Sequence, residues 1–234
     1  MSLDTLCLVT SPGSGAAHLM RLCDNLAEVQ AFPDLFATLA QQIEPEAAFE
    51  AALAATQAAG RRVLVLRLTS DTLPTRRIEE TIASRPGVRL VLVVRRQIDA
   101  YIGWREEIEE KSRARADGHE TRSALDVTDF GLWMDQQERW FDHWRNWLNR
   151  RFLPQPVLRY ETDIDLPPQA TLKRLAAAAA QVGVTLRVPQ APNLTALTRQ
   201  DRTTAAADRV IDWPEFSRGL VSRGLERRAF GYPI

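Results

Sequence analysis

The stretch that most constrains this chain is residues 6–26, Leu-Cys-Leu-Val-Thr-Ser-Pro-Gly-Ser-Gly-Ala-Ala-His-Leu-Met-Arg-Leu-Cys-Asp-Asn-Leu. Leu6 to Thr10 is a short apolar run that predicts a buried strand. Ser11-Pro12-Gly13-Ser14-Gly15 is turn chemistry. Beyond Ala16, the apolar residues Leu19, Leu22, Cys23 and Leu26 recur at helical spacing. A strand that passes through a small glycine-bearing turn into a helix gathers backbone N–H groups at the helix N-terminus, where the dipole also favours an anion. Gly13, Gly15, Ala16 and Ala17 carry almost no side chain, so an anionic group could approach the backbone closely. The strict phosphate-loop pattern asks for Lys and then Ser or Thr after the last Gly; Ala16 and Ala17 stand there instead. On its own, the turn fits either an anion site or a plain strand-to-helix connection.

The rest of the chain repeats the alternation. Residues 34–59 are Ala-rich with helical spacing, divided at Pro45 and stopped by Gly60. Val63–Leu68 reads as a second strand and residues 75–84 as a short helix. Val88–Val94 is a nearly continuous apolar strand of the kind a parallel sheet covers on both faces. Residues 97–116 read as a charged helix and 113–122 as a loop. A long helix then runs to about Arg151, capped by Thr128 or Asp129, with Phe130, Trp133, Trp140, Trp144, Trp147 and Leu148 on one stripe. Such a stripe is expected to be core. Residues 156–160 form a fourth strand, 168–182 an alanine helix and 187–207 a long loop. Trp213-Pro214-Glu215-Phe216 opens a final helix. Strands alternating with helices predict an α/β fold: three layers, with a central, mostly parallel sheet and helices on both faces.

Composition narrows the function classes. At 234 residues the chain is expected to form one domain over 1–234 and to bury a full core. Thirty basic and thirty acidic side chains give a formal net charge of zero, which argues against a nucleic-acid partner. No apolar run approaches the roughly 20 residues of a membrane span, and the stretch Met1-Ser2-Leu3-Asp4 lacks the features of a signal peptide. Cys7 and Cys23 have no metal-ligand spacing and read as small core residues suited to a reducing cytoplasm.

Four segments, in order, resemble the sulfotransferase family. Pro12-Gly13-Ser14-Gly15-Ala16-Ala17 resembles its 5′-phosphosulfate loop, usually Pro-Lys-Ser-Gly-Thr-Thr. Leu90 to Val94 with Arg95, Asp99 and Gly103 resembles its 3′-phosphate motif, an apolar strand followed by Arg, then Asp, then Ser. Val157-Leu158-Arg159-Tyr160-Glu161 resembles the strand that ends in Arg-Tyr-Glu, and Arg199-Gln200-Asp201-Arg202 resembles a late basic loop that closes over the nucleotide. The resemblance implies a three-layer P-loop-like fold and the donor 3′-phosphoadenosine 5′-phosphosulfate. It implies no metal, and a small-molecule or glycan acceptor offering a hydroxyl or amine. The implied nucleotide-binding residues are Gly13, Ser14, Gly15, Ala16, Ala17, Arg95, Gly103, Arg199 and Arg202. Gly13 replaces the loop Lys, Ala16 and Ala17 replace the Thr pair, and Gly103 replaces the Ser. Each change removes a side-chain donor and leaves the backbone cradle.

The chemistry needs positioning and charge stabilisation more than covalent participation. Arg95, at the C-terminal end of a strand, is placed to grip a phosphate bidentately, or else Arg95 or Arg96 pairs with Asp99. A hydroxyl acceptor needs a base; Glu106, Glu107 and His119 are the candidates. His18 either faces the donor or packs on the first helical turn, and His143 is expected to be structural. A lysine introduced at position 13 would restore charge if the backbone there accepts a side chain. Two other readings remain. One is a binding module on the same fold that lacks turnover. The other is a P-loop small-molecule kinase, against which the missing Lys and Ser/Thr count.

Overall fold

The computed structural model describes residues 3–36, 44–113, 124–190 and 205–234. Among these, five parallel strands form one sheet in the order β2-β3-β1-β4-β5. The strands are β1 (Asp4–Thr10), β2 (Val29–Phe32), β3 (Val63–Thr69), β4 (Val88–Val94) and β5 (Val157–Arg159). Helix α1 (Ala16–Cys23) follows β1, α2 (Pro45–Ala58) precedes β3, and α3 (Thr75–Ile78) runs into a π-helical turn, Glu79–Ala83. Then come α4 (Gln97–Arg113), α5 (Val127–Arg150), a second π-helical turn at Tyr160–Ile164, α6 (Pro168–Gln181), α7 (Ala206–Arg209), α8 (Trp213–Ser222) and α9 (Glu226–Ala229).

The two-residue pleat divides the strand side chains between the faces. Leu6, Leu8, Val63, Val65, Val91 and Val93 face α1 and α6. Cys7, Val9, Leu64, Leu66, Leu90, Leu92 and Val94 face α2, α3 and the C-terminal half of α5. Both faces are therefore apolar, which is why β1, β3 and β4 read as continuous hydrophobic runs. A third cluster lies outside the sheet, where Tyr101 and Ile102 of α4, Phe130 and Trp133 of α5, and Phe216 and Leu220 of α8 meet. The aromatic stripe of α5 is core along its length, with Trp140, Trp144 and Trp147 on the sheet and Trp133 in the third cluster.

Three sequence expectations are corrected. Strand β2 was not foreseen, because a four-residue edge strand with only Val29 fully buried carries no apolar run. Helix α5 is capped by Asp126, whose Oδ1 accepts from Thr128 N–H at 2.7 Å and Asp129 N–H at 2.9 Å, and not by Thr128 or Asp129. Helix α8 opens at Trp213 as expected, but it is not the last, since α9 follows. The stretch 113–122, read as a loop, lies outside the described residues beyond Arg113, as does 191–204 of the expected late loop.

Two tests follow from the core and the cap. Cys7 and Cys23 are fully buried on opposite faces of the sheet. Burial lifts both thiols, that of Cys23 to about 12 with a further push from Asp24. In mildly alkaline buffer neither thiol should react with Ellman's reagent until denaturant is added, when both should. The hydrogen bonds from Asp129 and Thr128 N–H hold Asp126 below the ordinary aspartate value of 3.8. A depressed folded-state value gives stability that is present above 3.8 and lost as pH falls through the folded value. Asp126→Ala should therefore lower the melting temperature at neutral pH, and the gap to wild type should close in acid.

Candidate functional site

Open parallel sheets take ligands at their C-terminal edge, where neighbouring strands send their connections in opposite directions. Here that point lies between β1, which leads through α1 to β2 at one edge, and β4, which leads through α4 and α5 to β5 at the other. The loop Ser11–Gly15 leaves β1 at this point and Arg95 leaves β4, so the fold brings together two segments 82 residues apart.

The loop owes its shape to two glycines in the left-handed region, Gly13 at φ 69° and Gly15 at φ 79°. Among the described residues, no backbone carbonyl takes the N–H groups of residues 13–17. Gly15 caps α1 without a side-chain hydrogen bond. The loop thus presents successive donors at a helix N-terminus, the arrangement that suits an anion. Ser11 to Ser14 and Ala16 are buried, while Gly15 and Ala17 are partly exposed, so the accessible side of the cradle is the Gly15–Ala17 turn. Ser14 Oγ hydrogen-bonds Thr10 Oγ1. Trp140 Nε1 donates to Thr10 O at 3.1 Å, tying α5 to the root of the loop.

Helix α4 lies on the other side of Gly13. A Cβ at residue 13 would fall 2.5 Å from Trp104 N and closer still to Ala100 O, both backbone atoms of α4. The lysine considered for position 13 therefore has neither the φ nor the space it needs. Gly103 faces the same contact: a Cβ there would lie 3.2 Å from Gly13 O and 3.4 Å from Arg95 Nη1. A Cβ on Gly15 would fall 2.6 Å from Tyr160 Cδ2 and closer still to Cε2.

Arg95 closes the arrangement. The residue is 5% exposed, Nη1 donates to Gly13 O at 3.0 Å, and the guanidinium carbon sits 4.2 Å from the centre of the Tyr160 ring. Arg96 turns the other way. Its N–H donates to Glu161 Oε1 at 3.0 Å, and its Nε lies 3.5 Å from both Asp99 Oδ2 and Glu161 Oε1. Arg96 lies within ion-pair distance of Asp99, and the charges of both Arg95 and Arg96 act on that carboxylate. Burial raises the Asp99 carboxyl above its ordinary value, and Arg95 and Arg96 oppose the rise. Tyr232 Oη donates to Glu161 Oε2 at 3.0 Å, which fastens residues near 230 to the exit of β5.

Of the expected site residues, Gly13, Ser14, Gly15, Ala16, Ala17, Arg95 and Gly103 converge at this edge. Glu106 is held by Arg209, whose Nε donates to Oε1 at 3.0 Å and whose Nη2 meets Oε2, so both carboxylate oxygens are engaged. Glu107 is exposed on α4. His119, Arg199 and Arg202 lie outside the described residues. His18 is partly buried on the first turn of α1, and its backbone N–H donates to Gly15 O at 3.0 Å. His143 packs edge-on to Trp144 at 5.2 Å, with Nε2 3.3 Å from Glu79, as a structural residue. Sequence reasoning placed Trp140 in the core stripe and gave no part in the site to Tyr160, Ala100 or Trp104. Only Tyr160 left a signal, its place in Arg159-Tyr160-Glu161; contacts through the α4 backbone leave none.

No protein-family model and no curated protein matches the sequence. Among solved structures, a sulfotransferase domain from the curacin biosynthetic pathway aligns over 96% of this chain and 99% of its own, at 14% identity and a TM-score of 0.50. The fold is sulfotransferase-like. A tunicamycin resistance protein from Deinococcus radiodurans aligns over 80% of this chain and 100% of its own, at 15% identity and a TM-score of 0.42.

The glycine contacts predict unequal tolerance to a methyl group. Gly13→Ala forces a left-handed residue against helix backbone and should cost at least about 1–3 kcal/mol in urea unfolding. Gly103→Ala meets its neighbours at 3.2 and 3.4 Å and gains helix propensity, so it should cost less. Equal stability of the two variants would contradict the described contact.

Proposed function

We propose that this protein binds 3′-phosphoadenosine 5′-phosphosulfate at the C-terminal edge of its sheet and transfers the sulfuryl group to a small-molecule or glycan hydroxyl or amine. The observation that carries the reading is the loop of residues 13–17, whose backbone N–H groups no backbone carbonyl among the described residues takes, at a helix N-terminus beside a buried arginine. The sulfotransferase-like fold and the ordered resemblance of four segments support it. The residues that remain fit an anionic donor: backbone N–H groups of the Gly15–Ala17 turn and the Arg95 charge. In the transfer, the bond from sulfur to the phosphate oxygen breaks and one to the acceptor forms. The products are adenosine 3′,5′-bisphosphate, the sulfated acceptor and a proton. Fixed donors at the loop would stabilise charge on the leaving oxygen.

A second reading, a binding module on this fold without turnover, is favoured by Gly13. Its φ of 69° and its contact with α4 bar the loop lysine, and Gly103 adds no hydroxyl. Calorimetric titration with adenosine 3′,5′-bisphosphate and then ATP tests what the two readings share. The bisphosphate should bind more tightly; preference for ATP, or binding of neither, overturns both. Sulfuryl transfer from the donor to a panel of phenolic, alcoholic and amine acceptors then separates them.

A further inference from the structure

We propose that the turn of residues 150–154, at the N-terminal edge of the sheet, docks this protein onto an anionic lipid bilayer, with Phe152 and Leu153 entering the headgroup layer. The turn ends α5 with a defined pair of hydrogen bonds. Phe152 N–H donates to Asn149 O at 3.0 Å and Leu153 N–H to Leu148 O at 3.1 Å, the two bonds of a Schellman motif. That motif needs one left-handed residue, and Phe152 takes the place at φ 54°. Glycine is the usual choice there, because a Cβ is unfavourable in that conformation. Among the described residues, Phe152 is the only residue other than glycine with a positive φ. Its ring gives the fold almost nothing in return, since the residue is 96% exposed. The chain therefore holds a large aromatic side chain in water where glycine would cost less. Strain kept without a packing return is the mark of a residue used outside the fold.

The surroundings favour an anionic layer. Leu153 and Pro154 are exposed and, with Trp147, Leu148 and Val182, line a cavity of about 340 Å³, so the apolar patch continues from the turn into the protein. Arg150 and Arg151 precede Phe152, and Arg85 and Arg89 stand at the start of the neighbouring strand β4. Two carboxylates face them: Glu79 lies 3.7 Å from Arg151, and Glu50 pairs with Arg85. Arg89 and Arg150 are exposed and meet no carboxylate among the described residues. Further along the same edge, Arg61, Arg62 and Arg187 stand against Asp4, Asp24 and Glu28. In a chain of zero net charge, this edge carries more arginine than carboxylate. Arginines around a protruding ring attract an anionic surface, and a headgroup layer admits the ring without a matching pocket. The tip is one phenylalanine and one leucine, far less area than a stable protein interface buries. Docking by this turn leaves the loop Ser11–Gly15, at the opposite edge of the sheet, clear of the bilayer.

Co-sedimentation of the full chain with vesicles tests the proposal. One set of vesicles is phosphatidylcholine alone; the other is equal parts phosphatidylcholine and phosphatidylglycerol. Wild type should bind the anionic vesicles, come off as salt is raised, and stay off the neutral ones. Phe152→Gly should melt no lower than wild type and lose about tenfold in partitioning. Phe152→Asn, which also tolerates the left-handed region, gives the result if the glycine variant does not fold. Arg150→Ala should weaken binding about fivefold at low salt and less as salt rises. Absence of binding to the anionic vesicles, equal binding to the neutral ones, or binding that the Phe152 variants leave unchanged overturns the proposal. So does concentration-dependent self-association in sedimentation velocity that Phe152→Gly abolishes, because the turn is then an interface between copies of this chain.

Discussion

The C-terminal edge of this protein depends on a contact between two stretches of backbone. The loop after β1 and the helix after β4 meet at Gly13, where the Ala100 carbonyl and the Trp104 amide approach too closely for any Cβ. A glycine at φ 69° is the condition of that approach, and Gly103 relieves the same contact from the helix side. Once the two backbones touch, the space beside the loop is fixed, and the Arg95 guanidinium stands there with Nη1 donating to Gly13 O at 3.0 Å. The fold has accepted a bare loop and set a buried guanidinium against it.

The core explains how such contact can be held. Both faces of the sheet are covered, so β1 and β4 cannot shift relative to each other without opening apolar surface on two sides. Helix α5 ties the layers together. Its Trp140, Trp144 and Trp147 pack on the sheet, its Trp133 packs against α4, and the Trp140 indole hydrogen-bonds the last carbonyl of β1. The helix that fills the core therefore also anchors the root of the candidate loop. Gln97, at the start of α4, donates to Glu138 of α5 at 2.9 Å and to Arg228 O at 3.2 Å, so the first turn of α4 is tied to α5 and to α9.

Electrostatics at the strand exits follow from the same placement. Arg95 and Arg96 are adjacent in sequence and opposite in role. Arg95 turns inward onto Gly13 and Tyr160, while Arg96 is shared between Asp99 and Glu161. Glu161 also accepts from Tyr232, and Arg228 pairs with Glu138 at 2.8 Å. The acidic groups of this edge are thus met by Arg96, Arg228 and Tyr232, and the Arg95 charge also acts on Asp99.

The layered α/β plan was legible in the order of the residues. The apolar runs at β1, β3 and β4 had to be buried on both faces, and a chain alternating such runs with helical patterns has few other ways to bury them. That order also located the loop, the Arg95 exit and the aromatic stripe, because glycine, a charge after an apolar strand and helical periodicity are local signals. Strand β2 escaped, being a short edge strand with one buried residue. The cap of α5 escaped because Asp126, Thr128 and Asp129 are all good capping residues and only the backbone path chooses among them. The meaning of the glycines and of Arg95 came only with the packing of distant elements. A glycine in sequence permits a left-handed turn and requires nothing. Ala100 O, Trp104 N and the Tyr160 ring, brought from distant elements, make Gly13 and Gly15 obligatory and hold the arginine between them. Those are contacts through backbone and through space, and neither leaves a pattern in the order of the residues.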